Sequence, residues 1–313
     1  MAGAAEARFT APVEYSGMCD ASGAVAVTTN LFLVASDEDN TLRLYRADRP
    51  GPPVQSFDLD GFLELHGKSR EADLEGAALI GRRAFWIGSH GRNKDGKDRP
   101  NRQRLIATDL QVTADGKVAV QTVGRPYKDL LRDLAADGRF AEFHLSEAAR
   151  IAPKESGALN IEGLSATPEG HLLIGFRNPI PDGQALLVRL VNPNEVIAGR
   201  AGKFGAPIRL NLGGLGIRDI AWHPGGYLII AGSYHGSGKF QIYRWAGPGA
   251  AVETVPAPSL KGLTPEGIVI YPQRGWAEIQ ILSDDGTRMV DGAACKDCPD
   301  EKKKTFRSFW LSP

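Results

Sequence analysis

NIEGLSATPEGHLLIG, residues 160–175, reads as two short strands around a turn, with Glu162 and then Gly163 at its mouth. A strand mouth has no ordinary need for a carboxylate followed by a residue without a side chain. The pattern recurs in DLEGAALIGRRAFWIGS from Asp73 and TPEGIVIYPQRGWAEIQILS from Thr264. IRDIAWHPGGYLIIAGS, from Ile217, fits with Arg218-Asp219 in place of Glu-Gly, and DASGAVAVTTNLFLVAS, from Asp20, fits with Ser22-Gly23. A proline six residues after the opening (Pro168, Pro224, Pro272) supports the alignment. The openings fall at 22, 75, 162, 218 and 266, a period of about fifty residues with one long gap.

Each unit carries short, alternating apolar runs separated by turn residues, four in every unit but the last. The fifth has only GIVIYP, AEIQILS and FRSFWLS, while RFTAPVEYSG (residues 8–17) stands ahead of the first unit and reads as a fourth strand. The pattern predicts an all-β fold: a β-propeller of five four-stranded blades, with six as the alternative, closed by an N-terminal strand. One domain would span residues 1–313. Residues 125–153, with helical spacing at Leu130, Leu131 and Leu134, are expected as a helical insertion between blades two and three.

Composition narrows the function. Lys plus Arg and Asp plus Glu both number 37, so no global field favours nucleic acid or an anionic membrane, and no apolar run reaches a membrane span. A monomer acting on a small molecule is expected. The N-terminus lacks the basic and apolar regions of a signal peptide, which reads as cytoplasmic as the chain stands, or periplasmic or secreted after processing. Of three cysteines, Cys295 and Cys298 form CKDC, which reads as a loop staple in an oxidising compartment or as idle thiols in a reducing one. No further ligand pair completes a zinc site.

YSGMCDASGAVAV, FLVASDEDNTLRLYR, DLEGAA, GSHGRNKDGKDRPNRQRL, NIEGLS, GIRDIAW and TPEGIVIYP together resemble a bacterial β-propeller family catalogued as a domain of unknown function. They are more distantly similar to phytase-like and esterase-like propellers. That resemblance implies Ca²⁺ near the axial channel and phosphate esters as substrates.

The residues add their own argument. First strands line a propeller's axis, so Glu75, Glu162, Asp219 and Glu266 are expected to converge there with Ser22. Their repulsion calls for a cation, arginines or protons. Hard oxygen donors, with Asp37, Asp39 and Asn40 of SDEDN and Asp284 and Asp285 of LSDDG nearby, suit Ca²⁺ or Mg²⁺. A plainer role is accepting hydrogen bonds from the next blade's backbone. Arg92, Lys94 and Arg102, in the loop 89–104, are candidate phosphate ligands, and Arg177 and Arg218 could steady developing charge. Glu162 and His90 are candidate catalytic groups, and His235 matches His90 in position. The leading expectation is a cation-dependent hydrolase of phosphate or related esters. A non-catalytic carbohydrate- or protein-binding propeller and a lactonase-like esterase are the alternatives.

Overall fold

A computed structural model of the chain describes residues 7–236, 238–256 and 260–313. The Ala-rich start, read above for a leader, lies mostly outside them. The chain forms five antiparallel sheets around one axis. Blade one runs Ala21–Ala26, Leu31–Ser36, Thr41–Arg46 and Gln55–Asp58; blade two runs Leu74–Ile80, Arg83–Gly88, Leu105–Val112 and Val118–Tyr127. Blade three is Asn160–Ala166, Leu172–Asn178, Ala185–Leu190 and Ile208–Leu210; blade four is Gly216–His223, Gly226–Gly232, Phe240–Trp245 and Val252–Thr254. Each sheet pairs its strands in chain order.

Blade five needs both ends of the chain. Pro265–Val269, Ile279–Ser283 and Thr305–Ser312 come from the C-terminal part, and the N-terminal segment adds the outer strand in two pieces. Val13–Ser16 pairs with Thr305–Ser308, and Arg8–Phe9 pairs with Leu311–Ser312. Closure of this kind removes an open sheet edge.

Successive side chains of a strand point to opposite faces of its sheet, and in a propeller both faces meet another blade. The cores therefore lie between blades: Leu42, Leu74 and Trp86 fill one, Leu187, Ile217 and Trp245 another. The long gap holds no sixth sheet among the described residues. Its first residues extend strand Val118–Tyr127, and the helical part is Leu130–Ala136, a 3₁₀ turn Gly138–Phe143 and Leu145–Ala148. Leu130, Leu134, Phe140 and Phe143 are buried against blades two and three, as the helical spacing requires.

The cysteine reading needs correction. Cys295 is bonded not to Cys298 but to Cys19, 276 residues away, and Cys298 is a buried free thiol. The bond joins the lead-in to blade one with a loop of blade five. Sequence spacing favoured the near pair, but propeller closure brings the distant one together.

Candidate functional site

All five first strands break register at the same place. Pairing with the second strand skips Ser22 and Gly23 in blade one, then Glu75, Glu162, Arg218 and Glu266 in the others. A β-bulge takes one residue out of the alternation and re-aims its side chain. Here that change of aim is what points a side chain at the axis instead of at a neighbouring blade. The following glycines sit where blades come closest: a Cβ on Gly76 would lie 2.7 Å from the Glu162 carbonyl oxygen, and one on Gly267 2.7 Å from that of Ser22.

The bulges also identify the ring member of blade four as Arg218, not Asp219. Asp219 takes the glycine position, is 3% exposed and does not line the axial cavity. Its carboxylate accepts from the Ile220 amide at 2.8 Å and from the Ile268 amide of blade five at 2.7 Å. It fills the plainer role, bridging two blades.

Above the ring opens a cavity of about 380 Å³. Its charges are unevenly distributed, with Arg102 and Lys296 set among the acids and Glu162 and Glu266 among the bases. Asp20, Asp37, Glu38, Asp73, Glu75 and Asp284, from blades one, two and five, form an acidic arc; Lys154, Arg177 and Arg218 stand on the side of blades three and four. Two carboxylate trios, Asp37 with Asp73 and Glu75, and Asp20 with Asp37 and Glu38, each hold oxygens within 4.8 Å of one another.

Burial, reinforced by Glu162 and Asp73, holds Glu75 well above the usual carboxylate range, and burial with Glu75 and Asp284 does the same to Asp37. Burial, with Asp284 and Glu38 beside it, pushes Asp20 up to about 8. Burial is the larger cause of each shift, and the neighbouring carboxylates add to it. Among the described residues no hydrogen bond or ion pair reaches Glu75, and Asp37 Oδ1 is buried without a partner.

Glu162 is differently placed. Arg177 Nη1 donates to its Oε1 at 2.6 Å, and Arg218 Nε lies 3.0 Å from Oε2. Arg218 also pairs closely with Glu266. These arginines still leave nitrogens free: Arg177 Nε and Nη2 and Arg218 Nη1 are buried without hydrogen-bond partners. Burial, with Arg177 adding like charge, lowers Arg218 to about 10.

The remaining expected residues divide. Arg92 reaches the cavity wall but spends its guanidinium on the carbonyls of Ala149, at 3.0 Å, and Gly96, at 2.9 Å. Arg102 pairs with Glu71 and, at 2.9 Å, with Asp73, so it neutralises acids of the site. Lys94 is exposed at the rim. His90 is set aside as an acid–base group. It lies outside the cavity lining, 2% exposed, with Nδ1 2.8 Å from the Gly88 carbonyl, and burial lowers it to about 4. His235 is exposed, lies outside the cavity lining and has its ring tilted against that of Tyr234. Asp39 pairs with Arg43, Asn40 ties blade one to the lead-in of blade two, and Asp285 clamps Arg307.

With this geometry, the family profile described as Protein of unknown function (DUF3616) matches residues 20–115 and 108–261, more than half of the chain. The chain belongs to the DUF3616 family. No curated protein matches it. Glutaminyl cyclase of Myxococcus xanthus shares 14% identity and a TM-score of 0.51, covering 98% of this DUF3616 chain and 96% of the cyclase. The PQQ-bound aldose sugar dehydrogenase of Streptomyces coelicolor shares 12% identity and a TM-score of 0.45, covering 99% of each chain. At this identity the first likeness is one of architecture alone, and the second is too remote for inference. Neither bears on phytase-like kinship.

Sequence reasoning missed several cavity residues of this DUF3616 chain. Asp20, Asp73, Asn160 and Thr264 all line the cavity, each two positions before a bulge residue, with an apolar side chain between. The period of two along a strand was the signal for them. Lys154, Glu71 and Lys296 come from connecting segments and carried no such signal.

Proposed function

We propose that the funnel hydrolyses small anionic esters, phosphate esters first among them, with a divalent cation, Ca²⁺ or Mg²⁺, held by Asp37, Asp73 and Glu75. One observation carries the reading. Three carboxylates within ligand distance of one another share a cavity with two buried guanidiniums that keep unpartnered nitrogens. The donor set fits such a cation: all ligands are hard oxygens, Glu75 has no hydrogen bond or ion pair among the described residues, and Asp37 Oδ1 is orphaned. When bound, the cation would supply electrophilic polarisation and a water of lowered pKa.

The chain's own residues do the rest. Arg177 and Arg218 hold and orient the anionic group, and Glu162, ion-paired to both, fixes their planes. Arg102 offsets Asp73, and Lys94 at the rim favours arrival of an anion. The cavity size suits a small molecule.

A second reading has its own support. Glu162 and Glu266 are already ion-paired, so the ring also serves a non-catalytic propeller that binds an anion without turning it over. Turnover of chromogenic phosphomonoesters and diesters with Ca²⁺, Mg²⁺ or Mn²⁺, beside thermal melts, separates the two. The hydrolase predicts a cation-dependent melting shift and turnover, both lost in Asp37→Asn. Arg177→Met should raise KM and keep the shift. A cation shift with no hydrolysis across the ester panel would leave only the binding module.

A further inference from the structure

The two carboxylate trios share Asp37 but differ in what already neutralises them. In the inner trio, Arg102 reaches Asp73, while among the described residues Glu75 has no ion pair and Asp37 Oδ1 no partner. In the outer trio, Lys296 Nζ lies 2.6 Å from Glu38 Oε1. Asp20 completes that trio; it is 5% exposed and shares a side-chain hydrogen bond with Asp284, and among the described residues no N–H or ammonium donor is paired with it.

Lys296 is brought there by the fold. Its backbone amide donates to the Gly286 carbonyl at 3.1 Å. Its neighbour Cys295 is bonded to Cys19, and Cys19 precedes Asp20. The ammonium and Asp20 are therefore mounted on one cross-link, while its direct partner Glu38 comes from the loop after strand Leu31–Ser36.

We infer that the outer trio is a second cation subsite and that Lys296 is its built-in occupant, so the site takes one divalent ion where the carboxylates alone would take two. This rests on the cation reading above and extends it by naming the residue that sets the stoichiometry. The electrostatics favour the arrangement. Two divalent ions sharing Asp37 would repel twice as strongly as one divalent ion beside an ammonium at the same spacing. A tethered ammonium also loses little freedom by staying, whereas a second ion must come from solution and displace it.

Calorimetric titration with Ca²⁺, with circular dichroism melts as a folding control, tests this on wild type, Lys296→Gln, Lys296→Arg and the Lys296→Gln/Asp20→Asn double variant. Expected are one ion in wild type and Lys296→Arg, two in Lys296→Gln, and one again in the double variant. The second ion of Lys296→Gln should bind at least about tenfold more tightly than any second binding event in wild type. One ion in both wild type and Lys296→Gln overturns the inference and leaves the cation reading standing. Two equally tight ions in wild type also overturn it. No ion in any variant overturns the cation reading itself.

Discussion

At one end of the channel the five first strands carry Ser22, Glu75, Glu162, Arg218 and Glu266 at their bulges, and all but the buried Ser22 line the cavity. Two residues further along, the same strands present Ala24, Ala77, Leu164, Ile220 and Ile268. The first end opens into the charged cavity of about 380 Å³, the second into an apolar pocket of about 100 Å³. One backbone thus builds two unlike mouths, and the bulge divides them. Beyond it, alternation returns and side chains fill the seams between blades; Ala77 joins one interblade core and Leu164 the next. A charge is tolerable only where the bulge turns it toward the cavity and toward counter-charges from other blades.

The largest expected effect breaks the comparison at its apolar side. Ala77→Glu puts a carboxylate where no arginine or cation waits, and should cost about 3–5 kcal/mol in urea unfolding. The reverse change should have the opposite sign. Glu75→Gln removes a buried carboxyl that must take up a proton or stay charged without a partner, so the cation-free protein should gain about 1–2 kcal/mol, by the same unfolding measurement, while losing its stabilisation by Ca²⁺. Loss of stability in cation-free buffer would mean that Glu75 is satisfied in a way the structure does not show.

The smallest effect is in pH. Asp20 is raised in the fold to about 8, so the stability it lends is complete below its unfolded value near 4 and fades as pH rises through about 8. His90 is lowered to about 4, so its contribution is complete above about 6.5 and is lost as pH falls toward 4. Between pH 8 and 6.5 only the carboxylate limb operates. Cation-free protein should therefore become more stable on mild acidification, by about 1 kcal/mol. Below pH 6.5 His90 opposes that gain, and His90→Asn should remove the opposition. Thermal melts across pH 4–8, with and without Ca²⁺, measure both limbs, and Ca²⁺ should flatten the upper one.

The repeat was legible because blade geometry demands it. Turn residues, alternating apolar runs and a Glu-Gly opening recur wherever a strand must bulge at the axis. The N-terminal closing strand was legible for the same reason, since blade five lacks its fourth strand. The membership of the ring was less so. Arg218 and Asp219 are adjacent, and only the register of pairing with Gly226–Gly232 decides which one is bulged. Lys154 and Lys296 were hidden because connecting segments follow no period. His90 looked catalytic by its place after a strand, but a left-handed backbone, φ 57°, carries it out of the cavity lining.

The Cys19–Cys295 bond has a consequence for the chain as an object. It makes nearly the whole propeller a single covalent loop. A protease that nicks any exposed turn between those cysteines leaves two fragments that still migrate as one molecule until a reductant is added. In the unfolded state the same loop restricts the chain, a restraint of about 5 kcal/mol in the chain-entropy picture. A blade that opens cannot drift away, because its neighbours hold it from both sides.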